Sequence, residues 1–208
     1  IEAYADDISV DALGNLIALK KRDGSGLKVM IAAHMDEIGV MVSHVTDDGF
    51  CRFTNIGGVI PHNLRGSRVQ FANGTIGVIG SDRQTDRGKI HDLDKHFIDV
   101  GASSKEDCSV SVGDPAGFKR EFLAQGKHLT AKSMDDRIGC VVAIEALKRL
   151  KTTPHDVYFA FTVQEEVGVR GAQTAANHID PDVGIALDVT LTGDVPESSP
   201  MAIKLGDG

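Results

Sequence analysis

Seven side chains in this sequence could hold a divalent cation or move a proton in a hydrolytic reaction: His34, Asp36, Asp135, Asp136, Glu165, Glu166 and Asp188. Glu165 and Glu166 are adjacent and follow the apolar run Val157-Tyr158-Phe159-Ala160-Phe161-Thr162-Val163. Two anions side by side at the mouth of a buried strand repel each other and lose solvation unless a cation is held there. A metal is the cation this pattern favours, with a solvated acidic turn as the plainer alternative. Asp135-Asp136 has a plain alternative too, as the N-cap and first-turn carboxylates of a helix. One imidazole among carboxylates, without thiolates, suits Zn, Co or Mn rather than an iron–sulfur or structural zinc site. The excess of carboxylates favours two close metals sharing a carboxylate and a water, an arrangement that performs hydrolysis.

The elements that must position these groups can be read from hydropathy. Residues 27–33, 157–163 and 183–187 are almost entirely apolar, as in strands of a parallel sheet covered on both faces. They end in His34-Met35-Asp36-Glu37, in Gln164-Glu165-Glu166 and in Asp188. In open α/β sheets the ligand crevice lies at the carboxyl ends of the strands, where all three sets would meet. The pattern predicts a helix from Asp135 to about Leu150, with Ile138, Val141, Val142, Leu147 and Leu150 as its apolar stripe. A second helix is expected over 171–179, and two short extended pieces around the turn Ala12-Leu13-Gly14-Asn15. From about Gly39 to Gln125 the pattern changes to short β-like runs at 40–42, 68–71, 75–79 and 97–100, broken by Gly, Asn and Asp turns. This reads as a small all-β insertion, with a brief helix at 103–107 and a break at Gly113-Asp114-Pro115. The expected organisation is α/β, with residues 1–38 and 130–208 forming one domain and 39–129 inserted into it.

Composition removes several function classes. A chain of 208 residues, 41% hydrophobic, is long enough for one large domain or two modest ones. Net charge is −8 and no run of Lys or Arg stands out, which argues against nucleic acid or an anionic membrane as partner. No apolar run approaches membrane-spanning length, and Ile1-Glu2-Ala3-Tyr4 does not read as a signal peptide. Cys51, Cys108 and Cys140 are odd in number and widely spaced, fitting neither a disulfide framework nor a thiolate zinc site, so they are expected to be reduced thiols in the cytoplasm. The sequence opens without Met and stops at Leu205-Gly206-Asp207-Gly208, which predicts that both ends are cuts within a longer protein.

Taken in order, four motifs carry a resemblance: His34-Met35-Asp36-Glu37-Ile38-Gly39, Ser133-Met134-Asp135-Asp136-Arg137-Ile138-Gly139-Cys140, Val163-Gln164-Glu165-Glu166-Val167-Gly168-Val169-Arg170-Gly171-Ala172 and Ala186-Leu187-Asp188-Val189. Together they resemble the glutamyl-aminopeptidase and tetrahedral-aminopeptidase family of dinuclear metallopeptidases over essentially the whole chain. The resemblance implies a zinc-peptidase-like α/β/α sandwich with a mixed sheet, interrupted by the β insertion. It implies two divalent ions (Zn, Co or Mn), with His34 and Asp188 on one, Glu166 on the other and Asp135 bridging both. Glu165 would be the general base acting on the bridging water, Asp36 would orient the site by a hydrogen bond, and Asp136 would support the bridging aspartate, to which relatives typically join it by a cis peptide.

Family members are longer, and carry in a C-terminal part a further histidine ligand for the Glu166 metal. None of His44, His62, His91, His96, His128, His155 or His178 lies in the motif for that ligand, so the second metal site is expected to be incomplete in this chain. The implied activity is a cytoplasmic aminopeptidase on short peptides. A metal-dependent deacylase or dipeptidase, or a non-catalytic oligomerisation subunit, are the alternatives. Relatives form dimers that build dodecamers, so a homo-oligomer is the implied assembly.

Overall fold

The computed structural model describes residues 1–83 and 92–190. His91 and the chain from residue 191 onward therefore lie outside the described residues. The strands run in the order β1 (Asp7–Val10), β2 (Leu16–Lys20), β3 (Lys28–His34), β4 (Gly39–Val45), β5 (Cys51–Ile56), β6 (Arg68–Phe71), β7 (Ile76–Ser81) and β8 (His96–Asp99). There follow β9 (Pro115–Phe118), β10 (Leu123–Gln125), β11 (His128–Thr130), helix α1 (Met134–Arg149), β12 (Asp156–Thr162), helix α2 (Arg170–Ile179) and β13 (Val183–Ala186). The described residues divide into two compact units, one drawn from Ile1–Met35, Met134–Glu165 and residues 170–190, the other from Asp36–Ser133 and Glu166–Val169.

The first unit is built on a five-stranded mixed sheet in the order β1-β2-β12-β3-β13. β12 pairs antiparallel with β2 and parallel with β3, and β13 pairs parallel with β3 on its other side. Alternation along β12 sends Val157, Phe159 and Phe161 to one face, where they pack with Cys140, Ala143 and Leu147 of α1. Ala160 goes to the other face, packing with Ala175 and Ile179 of α2. Each face of the sheet thus carries one helix, which fits the apolar character of β12. Phe159 is 1% exposed at the centre of this layer. Phe159→Ala is expected to cost about 3–5 kcal/mol of unfolding free energy, read from guanidinium denaturation. A cost below about 1 kcal/mol would show that β12 is not at the centre of the core.

The second unit is a closed six-stranded barrel, β4-β5-β8-β7-β6-β9, with a separate β10-β11 hairpin. Its interior is filled by Val40, Val42, Phe53, Val69, Phe71 and Ile79 among others. No helix among the described residues is long and apolar enough to cross a membrane.

Three expectations from the sequence are corrected. Residues 103–107 form bends and a turn rather than a helix, closed locally by the Asp107 carboxylate, which accepts the backbone N–H of both Ser103 and Ser104. In α1 the buried face is Asp136, Gly139, Cys140, Ala143 and Leu147, whereas Ile138, Val141 and Val142 are exposed. Among the described residues β13, expected to be buried, is exposed along its whole length and forms an edge of the sheet.

Candidate functional site

His34, Glu165 and Asp188 owe their positions to three neighbouring parallel strands. Thr162 is the register partner of His34, so β12 and β3 end side by side. Met35 N–H donates to Thr162 O at 2.8 Å and Leu187 N–H to Ala32 O at 2.8 Å, carrying the pairing to the edge of the site on both sides of β3. The turn after β12 is sharp: Gln164 adopts a left-handed φ of 58°, which non-glycine residues seldom take. A buried asparagine far away in sequence holds that turn. Asn15 accepts the Val163 N–H at 3.0 Å through Oδ1 and donates from Nδ2 to Gly171 O, Thr174 Oγ1 and Asp11 Oδ2. Gly171 is required there, since a Cβ on it would lie 2.1 Å from Val163 O.

Asp135 and Asp136 stand at the start of α1, where both have non-helical backbone angles and are joined by a cis peptide. Asp136 does cap the helix: its Oδ1 accepts the Gly139 N–H at 3.1 Å. Gly139 must be glycine, because a Cβ would approach the Asp136 carboxylate to 2.3 Å. The same helical turn grips the end of β3, with Cys140 Sγ donating to His34 O at 3.2 Å and Arg137 Nε to Met35 O at 3.3 Å.

Within the first unit these elements bring five of the predicted residues together. His34, only 3% exposed, has its Nε2 at 2.8 Å from Asp135 Oδ1 and 3.9 Å from Glu165 Oε2. One ligand atom each from His34, Asp136 and Asp188 lie within 4.8 Å of one another. Asp136 is fully buried; its Oδ2 has no hydrogen-bond partner among the described residues. Burial pushes the Asp136 carboxyl up to about 6, with the nearby Asp188 charge adding to the rise. An imidazole nitrogen, three converging carboxylates and a buried carboxylate oxygen lacking a donor form a set that fits a divalent ion of the zinc type.

Asp36 and Glu166 belong to the second unit, where the Glu166 N–H donates to Asp36 Oδ2 at 3.2 Å. Glu166 also lies against Gly57, whose φ of 74° and missing Cβ leave room for the carboxylate, since a Cβ would sit 2.8 Å from Glu166 Oε2. That unit holds a polar cluster that residue-by-residue reading misses. Lys132 Nζ donates to both oxygens of Glu37, at 2.8 and 2.6 Å, and the Ser133 hydroxyl donates to the same carboxylate. Glu37 directly follows the His34-Met35-Asp36 motif, and Ser133, at a left-handed φ of 58°, precedes Met134-Asp135. Charge-assisted bonds of this kind fix the two chain segments that lead to the candidate ligands. Of the remaining histidines, His155 Nδ1 accepts the Leu27 N–H and His96 is buried with Nδ1 at 3.1 Å from Asp92 O.

Comparison with known proteins gives a consistent result. The family model described as M42 glutamyl aminopeptidase matches residues 14–208. A lysyl aminopeptidase of Pyrococcus furiosus is 39% identical, over all of this chain and 63% of its own length. Aminopeptidase APDkam598 from the archaeon Desulfurococcus kamchatkensis superposes with a TM-score of 0.88 at 44% identity, over 95% of this chain and 57% of that one. The TET1 peptidase of Pyrococcus horikoshii, described as able to assemble into a tetrahedron or a large octahedral shell, gives a TM-score of 0.79 at 38% identity, over 94% and 63%. The chain spans about 63% of the length of the curated relatives it matches.

Proposed function

The chain belongs to the M42 glutamyl aminopeptidase family, and from that premise we propose that it is part of a metal-dependent aminopeptidase removing N-terminal residues from short peptides. The observation that carries this reading is the convergence of His34, Asp135, Asp136, Glu165 and Asp188 at the carboxyl ends of three parallel strands. Divalent ions held by such residues supply charge neutralisation at a carbonyl oxygen and a lowered pKa for water. His34 and Asp188 would serve as ligands of one ion, Glu166 of another, and Asp135 of both. The assignments of Glu166 and Asp36, in the second unit, rest on the order of the motifs. Zn, Co and Mn all suit this donor chemistry.

Glu165 is the group that would move the proton, an assignment that rests on the match of its motif to the family. Its carboxylate takes a proton from the attacking water as the water oxygen bonds to the scissile carbonyl carbon, then delivers it to the departing amine nitrogen as the C–N bond breaks. Asp36 orients by hydrogen bonding, and Asp136 fixes the turn that presents Asp135. Two adjacent glutamates serve this division from the turn that follows β12 and the left-handed Gln164.

The same reading makes the first unit the zinc-peptidase-like α/β/α sandwich of residues 1–38 and 130–208, with the barrel and hairpin as the insertion over 39–129. We place the protein in the cytoplasm, a reading that rests on its three widely spaced cysteines, and as a homo-oligomer, on the support of the assembling TET1 relative. Substrate form tests the function. With Zn, Co or Mn supplied, aminoacyl-p-nitroanilides bearing a free amine are expected to be hydrolysed and N-acyl amino acids to be left intact. The reverse preference would identify a deacylase on this scaffold and overturn the aminopeptidase assignment.

A further inference from the structure

Cys51 and Cys108 are 57 residues apart in sequence, yet their sulfurs lie 3.6 Å from each other in the second unit. We propose that this pair is a site of reversible oxidative cross-linking, at which a small peroxide converts the two thiols into an intramolecular disulfide joining strand β5 to the loop between β8 and β9. Neither sulfur has to travel far. The separation must close from 3.6 Å to the about 2.05 Å of an S–S bond, within reach of side-chain rotation.

The two thiols are held in place by their surroundings. Cys51 is fully buried in the barrel interior, and its strand position is fixed by pairing with Val45 on β4 and Ile98 on β8. Cys108 lies on an irregular stretch that is nonetheless pinned at several points. Lys105 N–H donates to Asp47 O, Asp107 gathers the N–H groups of Ser103 and Ser104, Asn73 Nδ2 donates to Ser109 O, and Val110 is buried in the barrel core. A loop anchored on both sides of its cysteine presents that sulfur to one partner only.

The environments also divide the labour. Cys108 is partly exposed and is the sulfur that a small oxidant can reach. Cys51 is closed off from solvent, and burial followed by the Cys108 contact pushes its thiol up to about 12, so it is the second sulfur to react. With hydrogen peroxide, Cys108 sulfur bonds to one peroxide oxygen, the O–O bond breaks, and a sulfenic acid and one water result. Cys51 sulfur then attacks the Cys108 sulfur, the S–O bond breaks, and the hydroxyl leaves with the Cys51 proton as a second water. Overall, two thiols are oxidised and one peroxide is reduced to two waters. A thiol reductant reverses the bond. Cys140 is buried in the first unit with its Sγ donating to His34 O, and stays a thiol.

The test exposes the whole folded chain to hydrogen peroxide, quenches it, then denatures and alkylates with N-ethylmaleimide before peptide mapping. The expected result is alkylation of Cys140 alone, a peptide containing Cys51 linked to one containing Cys108, and recovery of all thiols after dithiothreitol. In Cys108→Ser, and equally in Cys108→Ala should the serine variant fold poorly, Cys51 is expected to remain fully alkylatable after peroxide. Persistence of alkylatable Cys51 in the unsubstituted chain, conversion of Cys108 to a sulfinic acid, or cross-links only between separate chains would each overturn the proposal.

Discussion

Glu165→Gln is expected to lower peptide turnover by a factor of about 10²–10⁴ while leaving the affinity for divalent ions nearly unchanged. The change preserves volume and removes the carboxylate that accepts and returns the proton. Glu165 is partly exposed, with 30% of its side chain accessible, and sits 3.9 Å from His34 Nε2, at the rim of the candidate ligand group. A residue placed there to move protons should affect kcat far more than KM. Hydrolysis of an aminoacyl-p-nitroanilide gives the kinetic readout, and calorimetric titration with zinc gives the metal readout. Glu166→Gln should behave in the opposite sense, with metal affinity falling first and turnover recovering at high metal concentration. If the two variants exchange these signatures, the roles of the neighbouring glutamates are exchanged as well. Activity of Glu165→Gln within tenfold of the parent would remove Glu165 from the reaction.

His34→Ala should weaken binding of the first ion by at least ~100-fold, beyond the 10–100-fold typical of losing a group that only orients a ligand. His34 supplies the one imidazole of the convergent set and is buried, so no neighbouring solvent ligand replaces it easily. Zinc titration of the folded variant, with circular dichroism to establish folding, measures the loss. A second substitution separates ligation from general destabilisation of the strand end. Asp188→Asn lies outside the regular strand, two residues past β13, and should weaken the same ion without lowering the unfolding temperature of the metal-free protein. Unchanged affinity in both variants would place the ion elsewhere.

Much of the candidate site was legible because its residues stand at the ends of strongly patterned segments. β3 and β12 are each displaced by one residue from the apolar runs that announce them, α2 begins one residue before expectation, and the regular part of α1 begins after the non-helical Asp135-Asp136. What could not be read depends on partners distant in sequence. Glu37 meets Lys132 across 95 positions, and Asn15 meets Val163 across 148, and neither distance leaves a periodic trace. In α1 the expected Leu147 and Leu150 do pack in the core, but Ile138, Val141 and Val142 do not, because packing against β3 and β12 selects the stripe containing Cys140, Ala143 and Leu147. Closure of the barrel is likewise a property of register between non-neighbouring strands, such as β4 with β9. The meeting of Cys51 with Cys108 follows from that closure, and spacing alone pointed away from it.

The position of β12 between β2 and β3 also orders events during synthesis. β2 and β3 leave the ribosome early but do not pair with each other, since the strand that joins them arrives only after the whole barrel has been made. Every barrel strand, by contrast, lies within residues 39–118 and can find its partners without waiting. The nascent chain should therefore carry a folded barrel ahead of an unfinished sheet, with two apolar strands exposed to chaperones until residue 162 emerges. Slowing translation between β11 and β12 would lengthen that exposure, making this interval the point at which the growing chain is most prone to aggregate.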